Sequence, residues 1–389
     1  MSMRFIIAIA MLAAIAAASG AQAGGRGHAI GLGAVLTSKD GGQIFGYDID
    51  RDGKDGVLAS AQTVDADGNE LVSVETFNQD NGKITRSFAK HLGHRHEYGV
   101  DGIFAGDVAL ITHFVTPKGS IFPKREYLVM NPVTGKAFTG DWTPPLKDIQ
   151  VEQASTDQDS RTAAILAIEL KKDDRPVLIV TDVAANTFSK IVHLNEDTFQ
   201  LANGPLLGQF TAQNKAVFAL SPDAGGVGGT APENIVIDMA TGETKQFPGY
   251  NGGVFGAGFV NGLAVDPVTG IGATTTELNA QVEFYDMGAR KPVAFAQLPC
   301  TGDTSQGNSG AGIAVDPVNK LFLVTEYFYC DGSQGSAIVV YDEAGNFVET
   351  ITGFKFAVNE PPPVLNPSKR MGWAYGGPNG FSQLQQFFY

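Results

Sequence analysis

The sequence predicts an all-β fold, a β-propeller of seven four-stranded blades closed by strands from both ends of the chain. Three observations lead to this prediction. A strand-and-turn pattern recurs roughly every 50 residues, the 48 glycines and 19 prolines suit many short strands joined by turns, and no long stretch has the apolar periodicity of a helix. A six-bladed ring is the alternative.

Each copy of the pattern has a short apolar strand, then Asp or Asn, then a turn with Gly or Asn, then a second strand. Asp and Asn side chains bond to the backbone two residues on, and Gly accepts a positive φ, so the pattern closes a hairpin. Each copy therefore predicts the outer strand pair of a blade. The Asp or Asn residues of the six copies are Asn78, Asn131, Asp182, Asp238, Asp286 and Asp342.

A second segment before most of these hairpins predicts the inner strand pair. Residues 262–274 and 312–324 show it best, since they are nearly superimposable and share Ala-Val-Asp-Pro-Val at their centres. Two pairs per unit give the four strands of a propeller blade.

The two ends of the chain predict the last blade. Residues 371–375 and 383–389 have the pattern of inner strands with no outermost partner, and residues 28–37 can supply that partner. Closing the ring in this way removes exposed sheet edges, which otherwise invite aggregation.

Residues 1–23 predict a cleavable secretory signal. Arg4 precedes an apolar run, Phe5 to Ala18, and Ala21-Gln22-Ala23 has the small-residue pattern of a cleavage site. The run is shorter than the roughly 20 residues that span a bilayer, so we expect no membrane span after cleavage. The sequence thus predicts a single propeller domain, residues 24–389, in the periplasm or outside the cell.

The charge balance argues against nucleic acid as a partner. The chain has 27 basic and 41 acidic residues, a net charge of −14. Such a surface repels phosphate backbones and anionic lipid headgroups.

The chain contains two cysteines, Cys300 and Cys330. In the oxidising compartment that the signal implies, such a pair is expected to form a disulfide. Two buried free thiols are the alternative.

Candidate binding residues stand near the start of the predicted innermost strands. In a propeller these positions crowd around one mouth of the central channel, and each candidate can offer an oxygen atom to a hard cation or a ligand. The alternative is that the Asn-Gly and Asp-Gly pairs among them only form turns. The candidates are Asp101, Glu152, Asn203, Asn261 and Glu360.

The repeat resembles the NHL and YVTN class of propellers and, more loosely, the regucalcin and gluconolactonase class of metal-dependent hydrolases. The second resemblance implies one divalent cation, calcium or zinc, in the channel mouth. Asp101-Gly102, Asn203-Gly204 and Asn261-Gly262 are similar to the positions that hold it. A bound ion would polarise an ester carbonyl or acidify a water.

Two further groups are secondary metal candidates. His94 and His96 point the same way in an extended strand, and imidazole suits zinc, although a solvated polar loop is the alternative. Asp48, Asp50 and Asp52 match the first half of a calcium loop, while the second half lacks its acidic ligand, so an acidic hairpin turn is the alternative.

No nucleophile elbow, Walker loop or dinucleotide fingerprint is present in the sequence. The predicted function is therefore recognition of a small ligand or a protein partner at the channel-mouth face. A divalent-metal-dependent lactonase or ester hydrolase is the alternative, and the sequence leaves open whether the protein is an enzyme.

Overall fold

The structure is a computed structural model in which the strands form four-stranded antiparallel sheets. It describes residues 30–51, 53–63, 70–92, 102–105, 108–115, 124–130, 137–138, 149–157, 162–169, 175–182, 187–193, 206–210, 215–220, 233–248, 260–276, 281–299, 309–330, 333–354, 362–377 and 380–389.

The described strands form seven such sheets, which we number as blades in chain order. Blade 1 contains β2 (Gln43–Ile49), β3 (Asp55–Thr63), β4 (Glu70–Asn78) and β5 (Ile84–Leu92). Blade 2 contains β6 (Gly102–Ala105), β7 (Val108–Val115), β8 (Lys124–Met130) and β9 (Ala137–Phe138). Blade 3 contains β10 (Ile149–Asp157), β11 (Thr162–Glu169), β12 (Arg175–Asp182) and β13 (Thr187–His193).

The next three blades repeat this meander. Blade 4 contains β14 (Leu206–Phe210), β15 (Lys215–Leu220), β16 (Glu233–Asp238) and β17 (Thr244–Pro248). Blade 5 contains β18 (Val260–Val265), β19 (Ile271–Thr276), β20 (Gln281–Asp286) and β21 (Lys291–Gln297). Blade 6 contains β22 (Ser309–Asp316), β23 (Leu321–Cys330), β24 (Ser333–Asp342) and β25 (Phe347–Phe354).

Blade 7 joins the two ends of the chain. It contains β26 (Val364–Asn366), β27 (Met371–Gly377) and β28 (Gly380–Phe388), with a 3-10 turn at Pro367–Lys369. Its outermost strand is β1 (Gly31–Thr37), which pairs antiparallel with β28. The predicted closure by strands from both ends of the chain is confirmed, and so is the β-propeller prediction.

The first strands of the blades surround the central channel. Each of them contacts the first strand of the next blade, from β2 through β6, β10, β14, β18 and β22 to β26, and β26 contacts β2. The ring is therefore closed, and these seven are the innermost strands.

The apolar core lies between neighbouring blades. One cluster joins blades 6, 7 and 1, with Val340, Trp373 and Ile49 among its buried side chains. Another joins blades 5 and 6, where Phe284 and Phe322 meet edge to face at 5.5 Å. Because inner strands are covered on both faces, their sequences are continuous runs of apolar residues.

The predicted turn chemistry is confirmed where the structure describes it. The Asp238 carboxylate accepts the backbone N–H groups of Ala240 and Thr241 at 2.9 and 3.0 Å, and Gly242 has φ +80°. A similar turn follows Asp342, whose Oδ1 accepts the backbone N–H groups of Ala344 and Asn346 at 3.0 and 2.8 Å and which contains Gly345 at φ +79°. Glycine, which has no Cβ atom, adopts such a φ at no steric cost.

No helix among the described residues is long and apolar enough to cross a membrane. The predicted signal, residues 1–23, lies outside the described residues.

Candidate functional site

The candidate site is the face of the ring at the amino-terminal ends of the innermost strands, which we name the channel-mouth face. Adjacent strands of a blade are antiparallel. The hairpins between the second and third strands therefore lie on this face. The turns between the first and second strands and between the third and fourth strands lie on the opposite face.

A β-bulge recurs in four of the innermost strands on the channel-mouth side. The pairing register shifts in β2, β10, β18 and β22, each time near the start of the strand. In each of these strands, one residue at the register shift stands five positions before the Asp at the far end of the strand, which is Asp50, Asp157, Asp266 or Asp316. The residues at the register shift are Phe45, Glu152, Asn261 and Ala311.

The bulges give a structural meaning to two of the predicted site residues. Glu152 and Asn261 occupy the bulged position of blades 3 and 5, so they are structurally equivalent. A bulge bends its strand and re-aims a side chain, and bulges are frequent beside functional sites. Asp101, Asn203 and Glu360 lie outside the described residues.

The secondary metal candidates are not part of this group. Asp48 lies in β2 and Asp50 follows it, in the β2–β3 connection on the face opposite the channel mouth. Asp52, His94 and His96 lie outside the described residues. Within the part of the chain that the structure describes, no group of three His, Cys, Asp or Glu residues could hold a metal ion.

The cysteine pair is described only at one end. Cys330 is the last residue of β23, where the hairpin to β24 turns on the channel-mouth face. Cys300 lies outside the described residues, so the disulfide stays a prediction.

Glu326 of β23 is a candidate that sequence reasoning missed. Its Cα pairs with that of Gly310, at the edge of the bulge in β22. The side chain is 2% exposed, and its Oε1 has no hydrogen-bond partner among the described residues. Burial raises the pKa of Glu326 to about 8, so the group is mostly neutral at pH 7.

The sequence contained a signal for this residue. Glu326 interrupts the otherwise apolar run from Leu321 to Val324 and from Tyr327 to Tyr329. A carboxyl group in such a strand must be neutral or paired, because burying an isolated charge is costly. That pattern marks a buried titratable group, a frequent feature of functional sites.

The surroundings of Glu326 brace the bulge in β22 and the junction between blades 5 and 6. The neighbouring Thr325 donates its hydroxyl to the Gly312 carbonyl, which lies within the bulge, at 3.1 Å. Tyr341 of β24 donates its hydroxyl to the Gln297 carbonyl of blade 5 at 3.1 Å. Burial is the main cause that raises the pKa of Tyr341, and the negative charge of Glu326 raises it further. The Tyr341 hydroxyl therefore keeps its proton.

Comparison with known proteins supports the fold alone. No family model matches the chain, and no curated protein matches it. Among solved structures, the chain is similar to the Cps50 (Swd1) β-propeller domain of Myceliophteria thermophila, with a TM-score of 0.57 and 12% sequence identity over 93% of this chain and 100% of that one. Membership of the NHL or regucalcin classes stays a prediction.

Proposed function

We propose that the chain is an exported β-propeller that binds a small ligand or a protein partner at its channel-mouth face. The observation that carries this proposal is the bulge shared by four innermost strands, with Glu152 and Asn261 at the equivalent position of two of them. A rigid ring with irregular backbone positions around one opening, two of them polar residues, suits recognition and needs no catalytic group.

The charge of the chain narrows the class of partner. With a net charge of −14, it is expected to repel nucleic acids and anionic membranes. A neutral or basic partner is favoured, since the candidate residue Glu152 is itself acidic. Export to the periplasm or the outside would place that partner in the same compartment.

The binding proposal predicts that replacing Glu152 and Asn261 together with Ala weakens partner binding by roughly tenfold or more, because two polar contacts are lost. Immobilised protein is incubated with periplasmic or medium extract, and retained proteins are identified and their affinities measured by calorimetry. A small-molecule library is screened in parallel by the shift in melting temperature, which separates the two kinds of partner.

Glu243→Ala is the matched control. This exposed carboxylate pairs with Lys245 on the opposite face, so its loss should leave binding unchanged. Equal affinity of the double variant and the wild type, at equal melting temperature, would contradict the proposed binding face.

The second candidate is a divalent-metal-dependent lactonase or ester hydrolase. It is favoured by the same pair, since the Glu152 carboxylate and the Asn261 amide both offer oxygen atoms of the kind that calcium accepts. With Asn203 just before β14 of the intervening blade, these residues would hold the ion, which would supply Lewis-acid activation of an ester carbonyl.

The hydrolase candidate predicts about one calcium or zinc ion per chain and a lower melting temperature after exhaustive chelation. Elemental mass spectrometry and thermal melting measure both quantities. Asn261→Ala should abolish the bound ion, whereas Asp50→Ala on the opposite face should not. Metal-free protein with an unchanged melt would remove this candidate and leave the binding function.

A further inference from the structure

A polar contact recurs between neighbouring blades on the face opposite the channel mouth. The residue directly after the third strand of one blade meets the Asp or Asn at the end of the innermost strand of the preceding blade. Three junctions have polar residues at both positions among the described residues. They are Asn366 with Gln79, Asp316 with Tyr389, and Asp266 with Glu343.

Two of these junctions contain a hydrogen-bond donor. Between blades 7 and 1, the Asn366 amide donates to Gln79 Oε1 at 2.9 Å. Between blades 6 and 7, the Tyr389 hydroxyl donates to Asp316 Oδ2 at 2.9 Å, and Asn319 Nδ2 donates to the same oxygen at 2.7 Å. Each of these contacts therefore has its own donor and its own acceptor.

The junction between blades 5 and 6 pairs two carboxyl groups instead. Asp266 is fully buried, and its Oδ1 accepts the backbone N–H groups of Val268 and Thr269 at 2.7 and 3.0 Å. Its Oδ2 has no hydrogen-bond partner among the described residues. The Glu343 carboxyl group, whose Oε1 accepts the Thr269 hydroxyl at 2.7 Å, lies close enough to the Asp266 carboxyl group for the two to interact. Two ionised carboxylates have no donor between them.

We propose that Glu343 carries a proton that it donates to Asp266, so that this proton links blade 5 to blade 6. It takes the place of the amide hydrogen of Asn366 and the hydroxyl hydrogen of Tyr389 in the other two junctions. The contact between these blades is therefore the pH-sensitive one of the three.

The groups around Glu343 agree with this assignment. Burial raises the pKa of Glu343, the Thr269 hydroxyl lowers it by donating to Oε1 at 2.7 Å, the Asp266 carboxyl raises it, and the Lys320 ammonium lowers it. The resulting pKa lies above the usual value for glutamate. Thr269 belongs to the blade 5 turn and Lys320 to the β22–β23 turn of blade 6.

A proton fits the junction better than a metal ion. Calcium takes six to eight oxygen ligands, whereas the junction offers two carboxyl groups, and the hydroxyl of Thr269 already donates to one of them. No third His, Cys, Asp or Glu joins them among the described residues.

The sign of the pH effect follows from the raised pKa. The folded protein holds this proton to higher pH than the unfolded chain does. The stabilisation is complete below the ordinary glutamate pKa and is lost as the pH rises through the raised value. The wild type should therefore lose this part of its stability towards alkaline pH.

Glu343→Gln and Asp266→Asn test the proposal, because each supplies the amide donor that the junction between blades 7 and 1 already uses. Melting temperatures of the full chain are measured from pH 4 to pH 8.5. We expect each variant to match the wild type near pH 4 and to exceed it by roughly 1–2 °C at the alkaline end. The exposed Glu243→Gln is the control and should follow the wild type throughout.

A constant difference between variant and wild type across this range would overturn the proposal. So would a calcium-dependent rise in the melting temperature of the wild type at pH 8 that Glu343→Gln abolishes, since a cation would then join the carboxylates. If one variant fails to fold, the other decides the outcome, because both remove the need for the shared proton.

Discussion

A chain that begins at Ser38, and so lacks β1, is expected to lose its cooperative thermal transition or to melt far below the full chain. β1 covers the edge of β28, and three buried glutamines of β28 bond to it. Gln386 Oε1 accepts the Ala34 N–H at 3.0 Å, Gln385 Nε2 donates to the Gly33 carbonyl at 3.0 Å, and Gln383 Nε2 donates to Thr37 Oγ1 at 2.9 Å.

Truncation exposes that edge and removes these partners together. Each polar group that stays buried without a partner costs about 1–3 kcal/mol, and an exposed strand edge promotes aggregation. Circular dichroism melts and light scattering measure the two effects. A chain that begins at Ile30 is the control, because it keeps β1 whole. Equal melting temperatures for the two chains would show that the ring does not depend on this closure.

Trp373→Ala is expected to lower the free energy of unfolding by about 3–5 kcal/mol, the range for truncating a fully buried tryptophan. Trp373 of blade 7 has no exposed surface and contacts Phe77 of blade 1 edge to face at 5.4 Å. Its indole Nε1 donates to the Gln79 carbonyl at 3.2 Å, so the substitution removes packing and a hydrogen bond at the same junction.

Urea denaturation followed by circular dichroism measures the loss. Phe295→Ala is the matched control, because Phe295 is also an aromatic residue in a strand but is 55% exposed at the outer edge of blade 5. Its replacement should change the free energy of unfolding by about 0.5 kcal/mol or less. Similar losses for both variants would mean that the contact between blades 7 and 1 has no special weight in the fold.

Both predictions concern the junctions beside blade 7, where the two ends of the chain meet. Gln79 is central there. Its side-chain amide donates to the Asp50 and Asp55 carbonyls at 2.7 and 2.6 Å, and its own carbonyl also accepts from Gln386 Nε2 at 2.8 Å. One residue therefore joins the first hairpin of blade 1 to three strands of blade 7, β26 through Asn366, β27 through Trp373 and β28 through Gln386.

The sequence alone predicted the features that depend on residues close together in the chain. The turn at Asp238 closes because its carboxylate reaches backbone N–H groups two and three positions on. The repetition of such turns predicted the blades, and the unpartnered strands at the end of the chain predicted the pairing of β1 with β28. These are local or periodic signals, which survive in a single sequence.

The candidate site was predictable only in part. Glu152 and Asn261 were identified from their place near the start of innermost strands, and the structure puts them at equivalent bulges. The bulges themselves were not predicted, because a bulge is defined by the register between two strands and not by either strand alone. Glu326 was missed although the apolar residues on both sides of it in the sequence are the signal for a buried carboxyl group.

Tertiary structure alone decided which of the carboxyl groups meet. Asp266 and Asp316 stand in nearly identical segments, so the sequence predicts the same turn for both, and both do accept the same two backbone N–H groups. Their other oxygens differ because the neighbouring blade presents Glu343 to one and Tyr389 to the other. Local chemistry sets the turn, whereas ring closure selects the partner of each Asp, because that partner comes from the next blade, distant in sequence.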